Sequence, residues 1–513
     1  MIERDGNVQT CSKNLAHAET GDDSDDAFEL FMSGGGMLFP FRQGYAAMGE
    51  LLRKFHPEAW RHDEAVLGGL VLYLLKHGQA ARAKSYLTAT NLKFEKTYQF
   101  DVLDLLLALH LGEPVSDEKL NGWRRLEREL PVIDPLMLGL YYNSIMAMFV
   151  RLGRASDARV AGQQAISCFR EDGNSYLEHF IYIHLADLDL VEGRLRSARR
   201  GLMTAERCLA QSGVCYGNEQ ALIGVSRLAI DYEFGRFEKV RDEAPGLCVS
   251  LMTGDSWSEL FVQLARIAIL STYFLEGLGP AKLALESLQA DYARRHGGVA
   301  ASIDVLAALL HHLDWRPNEA EQIFGAIDLA MIQSTLGDVL SSEVSVALGM
   351  HADIRLLTPR GAIVSTLQKA RTLKGKERRK AIEKALTLAI AEGQIAPFLE
   401  QRDVFLGTSA KLSQSAFRRG RRELSRMTAC VLRRVSDSYV VPPPLRDLGF
   451  SRRQYRVAAA LQSGATNKQV ARYLGTSEAT VKYHLTSLYR MTKTKRRSEF
   501  IDFIHKIELL TDY

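Results

Sequence analysis

The sequence predicts an all-α protein: a superhelical array of paired helices filling most of the chain, then a small four-helix module at the C-terminal end. Two observations predict the array. Glycines that close apolar helical segments recur at Gly78, Gly112, Gly153, Gly193, Gly235 and Gly277, spaced 34, 41, 40, 42 and 42 residues apart. The fill between them is Ala, Leu, Arg and Glu at helical spacing. A propeller blade of similar period would need four β-rich strands instead. A third observation predicts the module: two capping signatures and a tight glycine turn fall within residues 451–478, the punctuation of short successive helices.

Taken in order, residues 1–35 read as a polar lead with the acidic cluster Asp22-Asp23-Ser24-Asp25-Asp26, a composition that predicts disorder. Sustained helical periodicity begins near Gln43, after Gly34-Gly35-Gly36. Residues 36–435 form the array. Each repeat ends its first helix on glycine, and a small or apolar residue such as Ala83, Ala158, Ala198 or Val240 opens the second. Asp314-Trp315-Arg316-Pro317 takes the corresponding turn in a further copy. Such pairs bury their apolar faces on one another and curve into a superhelix with a concave inner surface. Aromatics including Tyr141, Tyr142, Phe180, Tyr182, Tyr232, Phe234, Trp257 and Phe261 fit either the inter-helix core or a ligand groove. An arginine-rich last helix (Arg418, Arg419, Arg421, Arg422, Arg426, Arg433, Arg434) faces DNA backbone, the acidic array surface, or solvent. Residues 436–447 carry Pro442-Pro443-Pro444, which predicts a short semi-rigid spacer.

The module, residues 448–513, opens with Ser451 and Gln454 in a capping box, with Phe450 and Tyr455 placed to close a hydrophobic staple. Thr466 and Gln469 repeat the box before Val470, Ala471 and Leu474. Gly475-Thr476-Ser477 stops that helix, and Ser477 caps the next. Val481, Leu485 and Leu488 recur at i, i+4, i+7, so Lys482, Tyr483, Thr486 and Arg490 face outward. A short helix that presents a cation, a phenol and a hydroxyl suits the major groove of a duplex.

Asn467-Lys468-Gln469-Val470-Ala471, Leu474-Gly475-Thr476-Ser477 and Thr480-Val481-Lys482-Tyr483-His484 together resemble the LuxR-type (GerE-like) helix-turn-helix domain. The resemblance implies double-stranded DNA as partner and a homodimer on two-fold sites. It implies base reading by Lys482, Tyr483 and Thr486. Phosphate contact falls to Thr466, Asn467, Lys468, Ser477, Thr480, Arg490, Lys493, Lys495 and Arg496. Phe500, Ile501 and Ile504 on the fourth helix are the expected dimer seam. Three departures stand out: Gln454 and Arg456 replace an acidic pair, Thr476 replaces an apolar residue, and Thr492-Lys493-Thr494 replaces Leu-Gly-Val. The last removes the residue best suited to a left-handed helix stop. The array in turn is similar to tetratricopeptide-like repeats, and with the module it resembles large MalT-like regulators. The segment Ala391 to Leu399 looks like the end of their repeat domain. The nucleotide-binding half of those proteins has no counterpart: GxxxxGK[ST] does not occur, so ATP-driven assembly is not carried over.

Charge agrees with the module's reading. Between Val441 and Tyr513 there are 13 Lys and Arg against 6 Asp and Glu, a net of +7, where the whole chain carries +4. The preceding residues are therefore at −3, and a basic end on a slightly acidic body is the footprint of a nucleic-acid binder. No apolar run reaches a membrane span, and no signal-peptide order opens the chain. Six scattered cysteines without CxxC spacing suit reduced thiols in a cytoplasm. His179 and His184 are five apart, off the spacing of a metal pair, and no hydrolase, zincin or dinucleotide motif occurs. The expectation is a cytoplasmic, non-enzymatic, cofactor-free transcription regulator. Its array would take an unknown small-molecule, peptide or protein signal. The rival expectation is a repeat scaffold for protein assembly whose DNA binding is secondary or lost.

Overall fold

The computed structural model describes residues 23–510 apart from 56–58, 91–97, 113–114, 131–133, 214–217, 255, 296–299, 333–334, 349–357, 403, 405–420, 439–440 and 463. The described residues contain helices and no strand. Paired helices run through the array: Glu64–Lys76 with Ala80–Thr90, Tyr98–Leu111 with Asp117–Arg125, Pro135–Arg151 with Ala155–Asp172, and Ser175–Val191 with Leu195–Ser212. Asn218–Glu233 with Phe237–Thr253, Ser258–Glu276 with Leu278–Arg295, Ala300–Leu313 with Pro317–Gly325, and Pro359–Thr372 with Gly375–Glu392 continue it. Within each pair the two helices pack on one another.

All six glycines of the repeat take positive φ, from 67° at Gly78 and Gly112 to 94° at Gly277. At Gly153, Gly193 and Gly235 the next residue's N–H reaches back to a carbonyl five residues earlier, as in Arg194 N–H to Asp189 O at 2.7 Å, which is the Schellman stop. Trp315 does the same job without being glycine. Its φ is 58°, and Arg316 N–H donates to His311 O at 2.9 Å. The guanidinium of Arg402 lies 4.4 Å from the Trp315 ring centre and donates to Leu313 O, which holds the strained turn in place.

The array closes on itself, further than a gently curved superhelix would. Helix Ser258–Glu276 reaches back to Tyr98–Leu111, and Thr335–Ala347 touches Pro135–Arg151. Lys76 pairs with Glu219 at 2.5 Å, and a ring nitrogen of His110 sits 3.1 Å from Ser256 O. One continuous apolar core runs from Met37 to Val435. A buried ionic cluster ties its second half: Arg360 reaches Glu233 at 3.0 Å, and Glu343 and Glu400 at 2.5 Å each. Arg266 and the Tyr232 hydroxyl also bond Glu400, at 2.9 and 2.7 Å. Every residue of the closing helix Ala396–Glu400 is buried.

Two expectations about the flanks need correction. Helical structure begins at Asp23, inside the acidic lead, because Ala27 and Phe31 lie one turn apart and bury against Phe39 and Phe55 in a separate small core. Asp22 and the residues before it lie outside the described residues. The proline segment is not a semi-rigid polyproline spacer: Pro443–Asp447 is a short helix, and Leu445 is fully buried in the module's own core.

Candidate nucleic-acid interface

Four helices build the C-terminal module: Arg452–Gln462, Asn467–Leu474, Glu478–Thr492 and Arg497–Leu510. Their shared core includes Phe450, Tyr455, Val457, Leu461, Val470, Val481, Leu485, Leu488, Phe500 and Ile504. Both capping boxes form. Ser451 N–H donates to Gln454 Oε1 at 2.9 Å, and Gln454 N–H returns to Ser451 Oγ at 3.3 Å. Thr466 and Gln469 exchange the same pair at 2.8 and 3.3 Å. Gly475 stops the second helix at φ 60°, and Ser477 Oγ accepts from Thr480 N–H at 3.0 Å to start the third. The turn between them is therefore set by local chemistry.

The third helix presents the expected face. Val481, Leu485 and Leu488 are buried, while Lys482, Tyr483, Thr486 and Arg490 are exposed. Tyr483 stands out at 73 % exposed, a large aromatic held in solvent. Lys482 has only a loose partner, Glu478 at 3.6 Å one turn back. Thr486 Oγ1 donates to Lys482 O at 3.1 Å, leaving its lone pairs outward. Lys468, Ser477, Lys493, Lys495 and Arg496 are also exposed, and Asn467 and Thr480 are half-buried beside them. The Thr466 side chain is exposed but engaged in its capping box.

The departures from the family pattern have structural answers. Gln454 Nε2 donates to Ser487 Oγ at 3.1 Å, so the amide that replaces an acid links the first helix to the third. Lys493 ends the third helix with φ 54°, and Thr494 N–H closes the stop on Tyr489 O at 3.0 Å. Thr492 Oγ1 caps Leu488 O at 2.8 Å and sits 3.0 Å from Thr494 Oγ1. A Schellman stop thus forms without glycine. The fourth helix is then pinned by Arg497, whose guanidinium bonds Ala465 O.

Two of the three residues expected at the dimer seam, Phe500 and Ile504, need correction. Phe500 and Ile504 are fully buried inside the module, with the Phe500 ring 5.6 Å from Tyr489. Ile501 is half-buried. Phe500 and Ile504 hold the fourth helix to its own domain.

Residues 448–504 match the model of the bacterial regulatory proteins of the luxR family, GerE. The module is therefore a LuxR-type helix-turn-helix domain. No curated protein matches the chain. Among the described residues no group of His, Cys, Asp and Glu is placed to hold a metal ion, and no helix is long and apolar enough to cross a membrane. His179 and His184 are buried core histidines.

The LuxR-type module touches the array away from its third helix. Tyr473 donates to Arg433 O at 3.1 Å, and Arg446 lies 3.4 Å from the Asp314 carboxylate. The arginine face divides: Arg434 reaches Glu238 at 3.5 Å and Arg421 pairs with Glu383, whereas Arg418 and Arg419 lie outside the described residues. Paired in this way, Arg421 and Arg434 serve the array surface.

Proposed function

We propose that this chain is a DNA-binding transcription regulator: helix Glu478–Thr492 reads base edges in the major groove, and the helical array takes the signal that controls it. The observation that carries the reading is the exposed trio Lys482, Tyr483 and Thr486, held on a capped helix by a buried core. A cation and two hydroxyls can bond guanine, adenine or thymine edges, which carry a distinct pattern in that groove. Around the trio, Lys468, Lys493, Lys495 and Arg496 supply positive charge for phosphates. Two such modules on a two-fold site, one from each protomer of a homodimer, double the contact area. With Phe500 and Ile504 inside the domain, another surface must join them.

Lys482→Ala tests the reading. It should weaken a selected site by ~1–3 kcal/mol and random duplex much less, measured by fluorescence anisotropy across a salt series. Equal losses on both duplexes would make Lys482 a phosphate contact and remove the base-reading claim.

A further inference from the structure

We propose that the closed array holds a binding chamber for a small uncharged ring-bearing molecule with an N–H or O–H donor, at Phe41, Lys76, Asn143, Phe180, His184 and Trp257. This rests on the reading of the array as the signal-taking half and gives that signal a chemical class. The chamber measures about 90 Å³ and lies within the first half of the array, among helices Glu64–Lys76, Tyr98–Leu111, Pro135–Arg151 and Ser175–Val191, with Trp257 also in its lining. A wider cavity of about 550 Å³ adjoins it, shares Tyr45 and Lys76 in its lining, and carries neutral polar groups such as Ser250 and Thr253. A planar ring fits between aromatic walls better than a branched chain does, and the His184 and Trp257 rings already lie 4.3 Å apart along one wall.

Charge decides the rest. Lys76 lines the chamber, but its ammonium is paired with Glu219 at 2.5 Å and sits within 6 Å of the Tyr45, Tyr176 and Phe180 rings, at 5.8, 5.6 and 5.7 Å. An anionic ligand would have to break that pair and leave Glu219 uncompensated. His184 offers no charge either: burial, then His110 and His179, push its pKa down to about 3. Among the described residues, Asn143 Oδ1 at the chamber wall is buried without a hydrogen-bond partner. A buried acceptor in that state is satisfied by a donor from the ligand. The product is an uncharged ring with one donor toward Asn143, and any polar remainder in the adjoining cavity.

The test uses full-length protein whose duplex binding has been verified, so that failure here is distinguishable from failure of the regulator reading. Phenol, anisole and benzoate are titrated by calorimetry and ligand-observed NMR. Phenol should bind saturably, about tenfold more tightly than anisole, whose donor is methylated, and benzoate should bind worst. Asn143→Leu should erase the phenol preference, and Ala147→Leu, which fills the chamber, should weaken phenol and anisole together. Circular dichroism melting of both variants confirms that they fold. Absence of saturable phenol binding by a duplex-binding protein, equal affinity for phenol and anisole, or preference for benzoate would each overturn the assignment.

Discussion

Lys76 and Glu219, separated by 143 residues in the chain, form a 2.5 Å ion pair with both side chains buried. Tyr176 adds a hydroxyl to the same Glu219 oxygen at 2.9 Å. Burial pushes the Glu219 carboxyl up, but the Lys76 charge and hydrogen bonds more than offset this and hold its pKa below the usual range. Two segments of the array that are distant in sequence are thereby joined through a charge that neither could bury alone.

Breaking the pair from one side should therefore cost more than removing it. Lys76→Met leaves a buried carboxylate without its cation, at about 3–5 kcal/mol. The double variant Lys76→Met, Glu219→Gln should recover most of that loss. Urea unfolding of wild type, each single variant and the double variant measures the coupling, and strictly additive losses would show that the pair does not act as a unit.

Asp187 sets a pH dependence of the opposite sign. Burial pushes its carboxyl up to about 7, although Ser226 donates to it at 2.5 Å. A carboxyl whose folded pKa lies above its unfolded value of roughly 4 favours the fold most below that value. The advantage is lost as pH rises through about 7. Asp187→Asn cannot ionise, so its stability relative to wild type should improve between pH 5 and pH 8. The contribution of His184, which favours the fold at higher pH, is common to both proteins and cancels in the difference. A gap that stays constant with pH would return Asp187 to an ordinary pKa.

Much of the fold was legible because helix ends are local. Thr466 with Gln469, Ser477 before Glu478, and the recurring glycines each announce a boundary within a few residues. The outward face of Lys482, Tyr483 and Thr486 followed from the apolar spacing alone. Closure of the array was not legible, since Lys76 with Glu219 and His110 with Ser256 meet only in three dimensions. Nor could an apolar pair one turn apart, Phe500 and Ile504, declare whether it faces its own core or a second copy. The acidic composition around Asp23 to Asp26 hid the short stripe of Ala27 and Phe31, and the prolines before Leu445 hid that it anchors the module.

Lys493 offers a separation of stability from binding. It holds the left-handed φ of 54° that glycine would take without strain, and relieving it should be worth about 1 kcal/mol. Lys493→Gly should raise the melting temperature of the module while removing one exposed cation beside the third helix. If that cation meets a phosphate, the slope of log affinity against log salt falls by about 1. A variant that melts lower would mean the lysine side chain stabilises the helix end by more than its backbone costs.

The module's own core makes control by the array testable. Leu445 and the partly buried Val441 belong to that core, so a fragment must begin at Val441, before the proline helix, to fold alone. Such a fragment from Val441 to Tyr513 should melt cooperatively and bind duplex weakly, with no response to any array ligand. Among the described residues the module is held by the Arg446 guanidinium on Asp314 and the Tyr473 hydroxyl on Arg433 O, beside packing of helix Arg452–Gln462 on the arginine-rich helix Arg422–Asp437. A signal can shift the module only if it binds its docked and free states unequally. Arg446→Ala with Tyr473→Phe should therefore move full-length protein toward fragment-like duplex affinity, while the array's own melting transition stays in place. Anisotropy with one labelled duplex compares all three proteins, and identical affinities under every condition would leave the array no hold on DNA binding and favour the scaffold role.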